Sequence, residues 1–400
     1  MDFIVNMVGK SVLLVGAGFL GKYFISEYLQ RNPEGKVIAL EKVQNGAFFE
    51  HPQMKGYKED DRLIKIDGSA FDADTNVAKY FDNKEDKIDQ VVYTAAIADV
   101  GYAEQNPKET YFTNVTTTRD FFDFLGRKNF NGRIVLMSSE SVYRKKPEDT
   151  PDEERPFKET DKVGPHSVYG TTKLEQENAA KEMAKDHKLE LVIVRSATMY
   201  GPYGRIAQVI PDYMRQVFET GNIAIMGDGV STSRDFIFVR DTVNAIMSIL
   251  DAPKEKVAGE TFNIGTGRET YLLNLAHAIK MNLNLPVEPF NPTTGQPFEG
   301  YKPVKKLPFR TGEKGAKIVL DVSKAKERLE MLDKRGKKVQ WEAEMDLIYG
   351  LKTTMIWVAQ MLAANTEGYG KKWVDDVVKT IYPEKVRNRT QENPEGELIR

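Results

Sequence analysis

A chain of 400 residues, 40% of them hydrophobic, is too long for one ordinary core and suits two lobes. Lys plus Arg number 57 against 59 Asp plus Glu, which supplies no general electrostatic reason to bind nucleic acid or an acidic membrane. Cysteine is absent, so disulfides, thiolate catalysis and Cys-ligated zinc are excluded, and the four histidines (His51, His166, His187, His277) lack metal-ligand spacing.

Met1 to Lys10 is too short for a signal peptide ahead of the first predicted strand. No uncharged apolar stretch of about 18 residues or more reads as a membrane span. The expectation is a soluble cytoplasmic protein that takes a small molecule, without nucleic acid, membrane or metal.

The first half alternates β-rich runs with helical patterns. Strands are predicted at Ser11–Val15, Lys36–Leu40, Arg62–Ile66, Gln90–Thr94, Arg133–Ser138 and Leu189–Arg195, dominated by Val, Ile and Leu. Nearly continuous apolar strands separated by helices imply an α/β fold with a doubly wound parallel sheet covered on both faces. After Arg195 the rhythm changes. A helix is predicted over Ala207 to Thr220, short strands around Ile223–Met226 and Asp235–Val239, and a Pro/Gly-dense stretch between Pro286 and Gly315. Met345 to Ala364 reads as an amphipathic helix, and Trp373–Ile381 as a short one in a polar tail. The expected division is a Rossmann-type domain over 1–195 rejoined by 236–260, a smaller irregular α/β lobe from 196–235 and 261–364, and a polar extension over 365–400.

Gly16-Ala17-Gly18-Phe19-Leu20-Gly21 follows the first strand and opens a helix. Glycines in this Gly-x-Gly-x-x-Gly spacing let the backbone turn tightly and approach a pyrophosphate, which then meets helix N-terminal N–H groups. Glu41 ends the second strand. A carboxylate there accepts hydrogen bonds from ribose hydroxyls and repels a 2′-phosphate, which favours NAD over NADP.

Tyr169 and Lys173 are four apart, so on a helix they share a face. A phenol is a poor base at neutral pH, and a neighbouring ammonium draws its pKa toward the working range. Ser138-Ser139-Glu140-Ser141-Val142-Tyr143 sits where a predicted buried strand ends, at the edge of the sheet where ligands bind.

These pieces together resemble the extended short-chain dehydrogenase/reductase family, in its nucleotide-sugar epimerase/dehydratase branch, from about Ser11 to Leu329. The matching pieces are the glycine loop, Glu41, Asp67-Gly68, Thr94-Ala95-Ala96, Asn114-Val115, Ser138 through Tyr143, Tyr169 with Lys173, Arg195 through Pro202, Gly227 through Phe236, Asn263-Ile264-Gly265, and Arg310 through Glu313 ahead of Asp321 to Ala325. The resemblance implies Ser139, Tyr169 and Lys173 as the catalytic set. It implies NAD held by Gly16, Gly18, Phe19, Leu20, Gly21, Glu41, Asp67, Gly68, Thr94, Ala95, Ala96, Asn114, Tyr169 and Lys173. It further implies a nucleotide-diphosphate sugar met by Ser139, Ser141 and Thr198, its pyrophosphate gripped by Arg234 and Arg310, and a homodimer formed through two helices of the large domain.

Three positions depart from the family pattern. Val15 stands where the glycine loop usually starts. Thr198 replaces a substrate-contacting asparagine. Family dehydratases and decarboxylases carry a glutamate two residues after the catalytic Ser/Thr, whereas this chain has Ser141 there and Glu140 one residue early. On an extended chain, Glu140 would face away from the side that Ser139 and Ser141 line. A 4-epimerase is therefore the leading expectation. A dehydratase, decarboxylase or reductase is the alternative, and a non-catalytic NAD-binding module is a different class again.

Overall fold

The computed structural model describes residues 9–43, 45–82, 87–143, 155–285, 304–308, 317–333, 335–366 and 369–382. Arg310, most of the Pro/Gly-dense stretch and the end of the tail lie outside these residues.

Seven strands form one sheet: β1 (Ser11–Val15), β2 (Lys36–Glu41), β3 (Leu63–Asp67), β4 (Gln90–Tyr93), β5 (Arg133–Ser139), β6 (Glu190–Ser196) and β7 (Thr261–Ile264). Their order is β7-β6-β5-β4-β1-β2-β3, and every pairing is parallel. This is the doubly wound, Rossmann-type α/β sheet. The strand order reverses between β1 and β4, where such sheets open a crevice beyond the strands' carboxyl ends. Two of the predicted strands start one residue later than expected, at Leu63 and Glu190. The Asn263 segment adds a seventh strand that pairs with β6, with Asn263 opposite Arg195.

The period of two along each strand divides the core. Leu13, Val15, Ile38, Leu40, Val91, Tyr93, Ile134 and Leu136 face a cluster with Phe121, Phe122, Phe124 and Leu125 of helix α2 (Thr117–Arg127) and Ala180, Met183 and Ala184 of α3 (Val168–His187). Helix α1 (Phe19–Arg31) packs instead with α4 (Val239–Asp251). At the strands' amino ends, Gln90 Nε2 donates to the Leu250 carbonyl at 2.8 Å, and Arg133 Nη1 donates to the carbonyls of Ile249, Leu250 and Ala252. These side chains supply donors to carbonyls of the last turn of α4, where the helix itself runs out of N–H partners.

The chain forms two compact units: 1–199 with 234–269 and 316–344, and 200–233 with 270–315 and 345–400. This differs from the expected division, which placed 316–344 in the smaller lobe and set the tail apart. Physical ties explain the reassignment. Phe157 and Leu320 form a parallel bridge, and Trp341, fully buried, donates its indole N–H to the Asp241 carbonyl at 3.3 Å.

The second unit contains helices Val209–Thr220, Leu272–Asn282, Leu347–Asn365 and Lys371–Ile381. Trp373 of the tail helix lies 5.2 Å from the Phe218 ring and 4.4 Å from Tyr369, so this part of the tail is packed. Helix Leu347–Asn365 is long and apolar enough to cross a membrane by length and composition. Leu351, Met355, Val358, Ala359 and Leu362 on it are buried within the unit.

Candidate functional site

The glycine loop is built for close approach. Gly16 has φ of +89°, and a Cβ there would lie 2.7 Å from the Ala95 backbone. A side chain at this position meets both strain and collision. Thr94 reinforces the turn by donating its hydroxyl to the carbonyls of Val15 and Gly16. At Gly21 a Cβ would fall 2.5 Å from the Gly16 carbonyl oxygen. Gly18, by contrast, has no heavy atom within 4 Å of its Cβ position. It starts α1, which has no side-chain cap and no acidic residue in its first turn. Leu20 is buried and Phe19 half-buried.

Glu41 reaches this loop: its Oε2 accepts from Ala17 N–H at 2.6 Å and its Oε1 from Lys42 N–H at 2.8 Å. Val43 N–H also donates to Oε1 at 3.4 Å, and a carboxylate has about four lone-pair sites, so capacity remains for a ribose hydroxyl. Uncapped helix N–H groups, open space at Gly18 and a carboxylate at the end of β2 suit a dinucleotide whose ribose carries free hydroxyls. Further along the rim, Asp67 pairs with Lys65, and Gly68 N–H donates to the Glu41 carbonyl at 3.1 Å. Ala95 and Ala96 are half-buried. Asn114 is fully buried in a π-helical turn, Phe112–Thr116, and its amide holds Ile97 N–H, the Ile97 carbonyl and the Thr172 hydroxyl. It braces the loop after β4.

Strand β5 runs one residue further than expected and stops at Ser139, where the backbone turns into a 3-10 turn over Glu140–Val142. Ser139 caps that turn, its Oγ accepting from Ser141 N–H at 3.1 Å. Strand alternation therefore does not continue through Glu140 and Ser141, which corrects the premise of an extended chain there. Glu140 is 5% exposed, and Ser139 and Ser141 are half-buried.

Helix α3 begins at Val168, capped by Ser167, whose Oγ accepts from Gly170 N–H at 3.0 Å. A Cβ at Gly170 would lie 2.4 Å from the Ser141 carbonyl oxygen. Only glycine lets the first turn of α3 lie against the Ser139–Val142 turn, and the residue before it on that turn is Tyr169. Lys173, one helical turn on, is 3% exposed. Its Nζ donates to the Met137 carbonyl at 2.7 Å and to Gln176 Oε1. Burial lowers its pKa to about 7, against the opposing charge of Glu177.

Behind these groups lies a buried network absent from the sequence reading. Glu177 accepts from Ser138 Oγ at 2.6 Å and from Arg195 Nε and Nη2 at 2.9 and 2.8 Å. Arg195 Nη1 donates to Tyr143 OH, which donates to Asn263 Oδ1 at 2.6 Å. Burial acts to raise Glu177, but Arg195 and Ser138 outweigh it and the net direction is down. The signal was present in the spacing Lys173, Gln176, Glu177, Ala180, Ala184, one helical face that is buried throughout.

Thr198 donates its hydroxyl to Glu140 Oε1 at 2.6 Å. Burial pushes the Glu140 carboxyl up to about 8, while Thr198 and the nearby Arg234 charge act the other way. Its Oε2 is buried without a hydrogen-bond partner among the described residues. Arg234 is half-buried, and Asp235 beside it is held by Thr266 and Gly267. No group of His, Asp or Glu suited to a metal ion occurs among the described residues.

Known proteins resemble this chain over most of its length. The dTDP-D-glucose 4,6-dehydratase of Bos taurus is 27% identical, over 67% of this chain and 71% of its own. The UDP-glucuronate 4-epimerase of Thermodesulfobacterium geofontis is 25% identical, over 85% of this chain and 93% of its own. In fold, the chain is similar to the UDP-glucuronic acid 4-epimerase of Bacillus cereus, solved with UDP-glucuronic acid and NAD, at a TM-score of 0.70 and 22% identity, covering 88% of this chain and 99% of that one. The model of the NAD dependent epimerase/dehydratase family matches residues 12–265, and the chain belongs to that family of enzymes.

Proposed function

We propose that this protein is an NAD-dependent nucleotide-sugar 4-epimerase. The observation that carries the reading is the approach of α3 to the Ser139 turn through Gly170, with Tyr169, Lys173 and Ser139 intact and a serine rather than a carboxylate at 141.

The bound dinucleotide supplies hydride acceptance and return. It would be held by the loop of Gly16, Gly18, Phe19, Leu20 and Gly21, by Glu41 at its ribose, and by Asp67, Gly68, Ala95 and Ala96 along the rim. Thr94 and Asn114 fix the loops beneath it. Lys173 has acceptors for two of its three N–H bonds, Met137 O and Gln176 Oε1, which leaves one for a nicotinamide ribose hydroxyl. Tyr169 takes the proton of the sugar's C4 hydroxyl while Ser139 polarises the same oxygen. A keto-sugar then turns over in the pocket, and Tyr169 returns the proton to the other stereoisomer. Arg234 and Arg310 bind the diphosphate, for which guanidinium is suited by bidentate geometry. Ser141 and Thr198 meet the sugar. Pairing of two copies through helices of the large unit belongs to this reading.

One observation favours a second reading, a 4,6-dehydratase. Glu140, pushed up to about 8, holds a proton at neutral pH and has an unpartnered oxygen, as an acid catalyst would. A panel of UDP-, dTDP-, GDP- and CDP-sugars, followed by product analysis, separates the two. Stereoisomers with retained NAD support the epimerase. A 4-keto-6-deoxy product with no stereoisomer overturns it.

A further inference from the structure

Lys173 carries a demand that its surroundings must meet. An ammonium at 3% exposure has given up its water, and a desolvated cation needs dipoles or charge to replace it. One replacement is the Met137 carbonyl at the end of β5. The other is the side-chain carbonyl of Gln176, a fully buried residue three positions along the same helix.

Gln176 is itself held. An amide side chain can rotate to present either its oxygen or its nitrogen, and only the oxygen accepts from an ammonium. Here the nitrogen is committed, because Gln176 Nε2 donates to Thr118 Oγ1 at 2.8 Å. The Thr118 hydroxyl in turn spends its proton on the Asn114 carbonyl at 2.8 Å, so its oxygen can only accept from the amide. The chain Asn114 O, Thr118 Oγ1, Gln176, Lys173 Nζ thus has one polarity from end to end, and every side chain in it is buried.

We propose that Gln176 is a positioning residue: Thr118 orients its amide so that the carbonyl fixes the Lys173 ammonium against β5 in its charged form. The inference rests on the reading of Lys173 as part of the active set, and it adds residues that the resemblance does not name.

Other charges around Lys173 are accounted for. Glu177 on α3 bears on it and is itself engaged by Arg195, Ser138 and Lys181. Tyr169 lies one turn before it. Glu140, after β5, is turned to Thr198. Arg133 at the start of β5 pairs with Glu190 of β6. Glu104 caps the Val168 N–H, and Arg119 pairs with Glu182 at the solvent face of α2 and α3. With burial already lowering Lys173 to about 7, loss of one acceptor moves it further down, and a carboxylate in place of the amide moves it up.

The test uses the full chain and the variants Gln176→Met, Gln176→Glu and Thr118→Val. The Lys173 titration is read by NMR of selectively labelled lysine, its resonance identified by its loss in Lys173→Arg. Alongside it, the pH dependence of kcat is measured on any sugar nucleotide that turns over. The Lys173 midpoint is expected to fall by about one unit in Gln176→Met, fall less in Thr118→Val, and rise by about one unit in Gln176→Glu, with a limb of the kcat profile following in the same order. Midpoints unchanged in Gln176→Glu and Thr118→Val overturn the proposal, and these two suffice if Gln176→Met does not fold. The NMR readout stands without turnover, so an absence of sugar activity would sink the proposed function and leave this inference to be judged separately.

Discussion

Glu177 and Arg195 face each other as a buried ion pair, with Nε to Oε1 at 2.9 Å and Nη2 to Oε2 at 2.8 Å. Through Ser138 on one side and Tyr143 on the other, the pair ties together α3, β5, β6 and the turn that carries Ser139. Removing one partner strands the other charge in a dry interior, which typically costs about 3–5 kcal/mol. Glu177→Ala is expected to lose stability on that scale in urea denaturation. Glu177→Gln, which keeps an acceptor, should lose less.

Gly170 sets the distance between α3 and the Ser139 turn. Gly170→Ala places a methyl group 2.4 Å from the Ser141 carbonyl oxygen, so the helix or the turn must move. Overpacking of this kind costs about 1–3 kcal/mol. The expected outcome is a lower melting temperature together with a fall in kcat larger than the change in KM, measured by calorimetry and steady-state kinetics.

Tyr169→Phe removes the proposed proton carrier and leaves the α3 backbone unchanged. General acid–base groups contribute about 10²–10⁴-fold, and turnover should fall within that range. NAD should still bind, which fluorescence titration of the variant with NAD checks.

Glu140 makes stability depend on pH in a direction opposite to most carboxylates. Its carboxyl is raised from 4.5 in the unfolded chain to about 8 when folded. The folded state therefore binds the extra proton between these values, and the stability this group supplies is complete below the lower one and lost as pH rises through the upper one. Glu140→Gln should flatten that decline. Denaturation midpoints of wild type and variant from pH 5 to pH 9 show whether their difference changes across the window. The same variant should keep most epimerase activity, whereas collapse of turnover would favour the dehydratase reading.

Much of this architecture was legible from residue type and order. The apolar runs fix β1 to β6 to within a residue or so because a strand covered on both faces has to be apolar throughout. The glycine loop was readable because Gly16 and Gly21 have steric reasons to be glycine. What escaped was set by long-range partners. The sequence shows Thr198 as a substituted asparagine but cannot show that its hydroxyl proton goes to Glu140. Helical spacing puts Glu177 on a buried face of α3, but it cannot name the partner, because Arg195 lies eighteen positions away on strand β6. The return of 316–344 to the first unit rests on Leu320, Val322, Ala325, Leu329 and Trp341, buried apolar residues spread among charged ones, and on Lys324 and Arg328, which pair with Glu260.

That return has a consequence for how the molecule is made. The first unit is sewn from three separated lengths of chain, and its last piece is anchored by Trp341. On the ribosome, the nucleotide-binding sheet therefore waits for most of the polypeptide to emerge before its final seam can close. Cutting the gene after the motif-bearing first half would yield a fragment that keeps the glycine loop, the tyrosine–lysine pair and the cluster under α2 and α3, but bares α1 and the sheet face that α4 and its Trp341 anchor should cover.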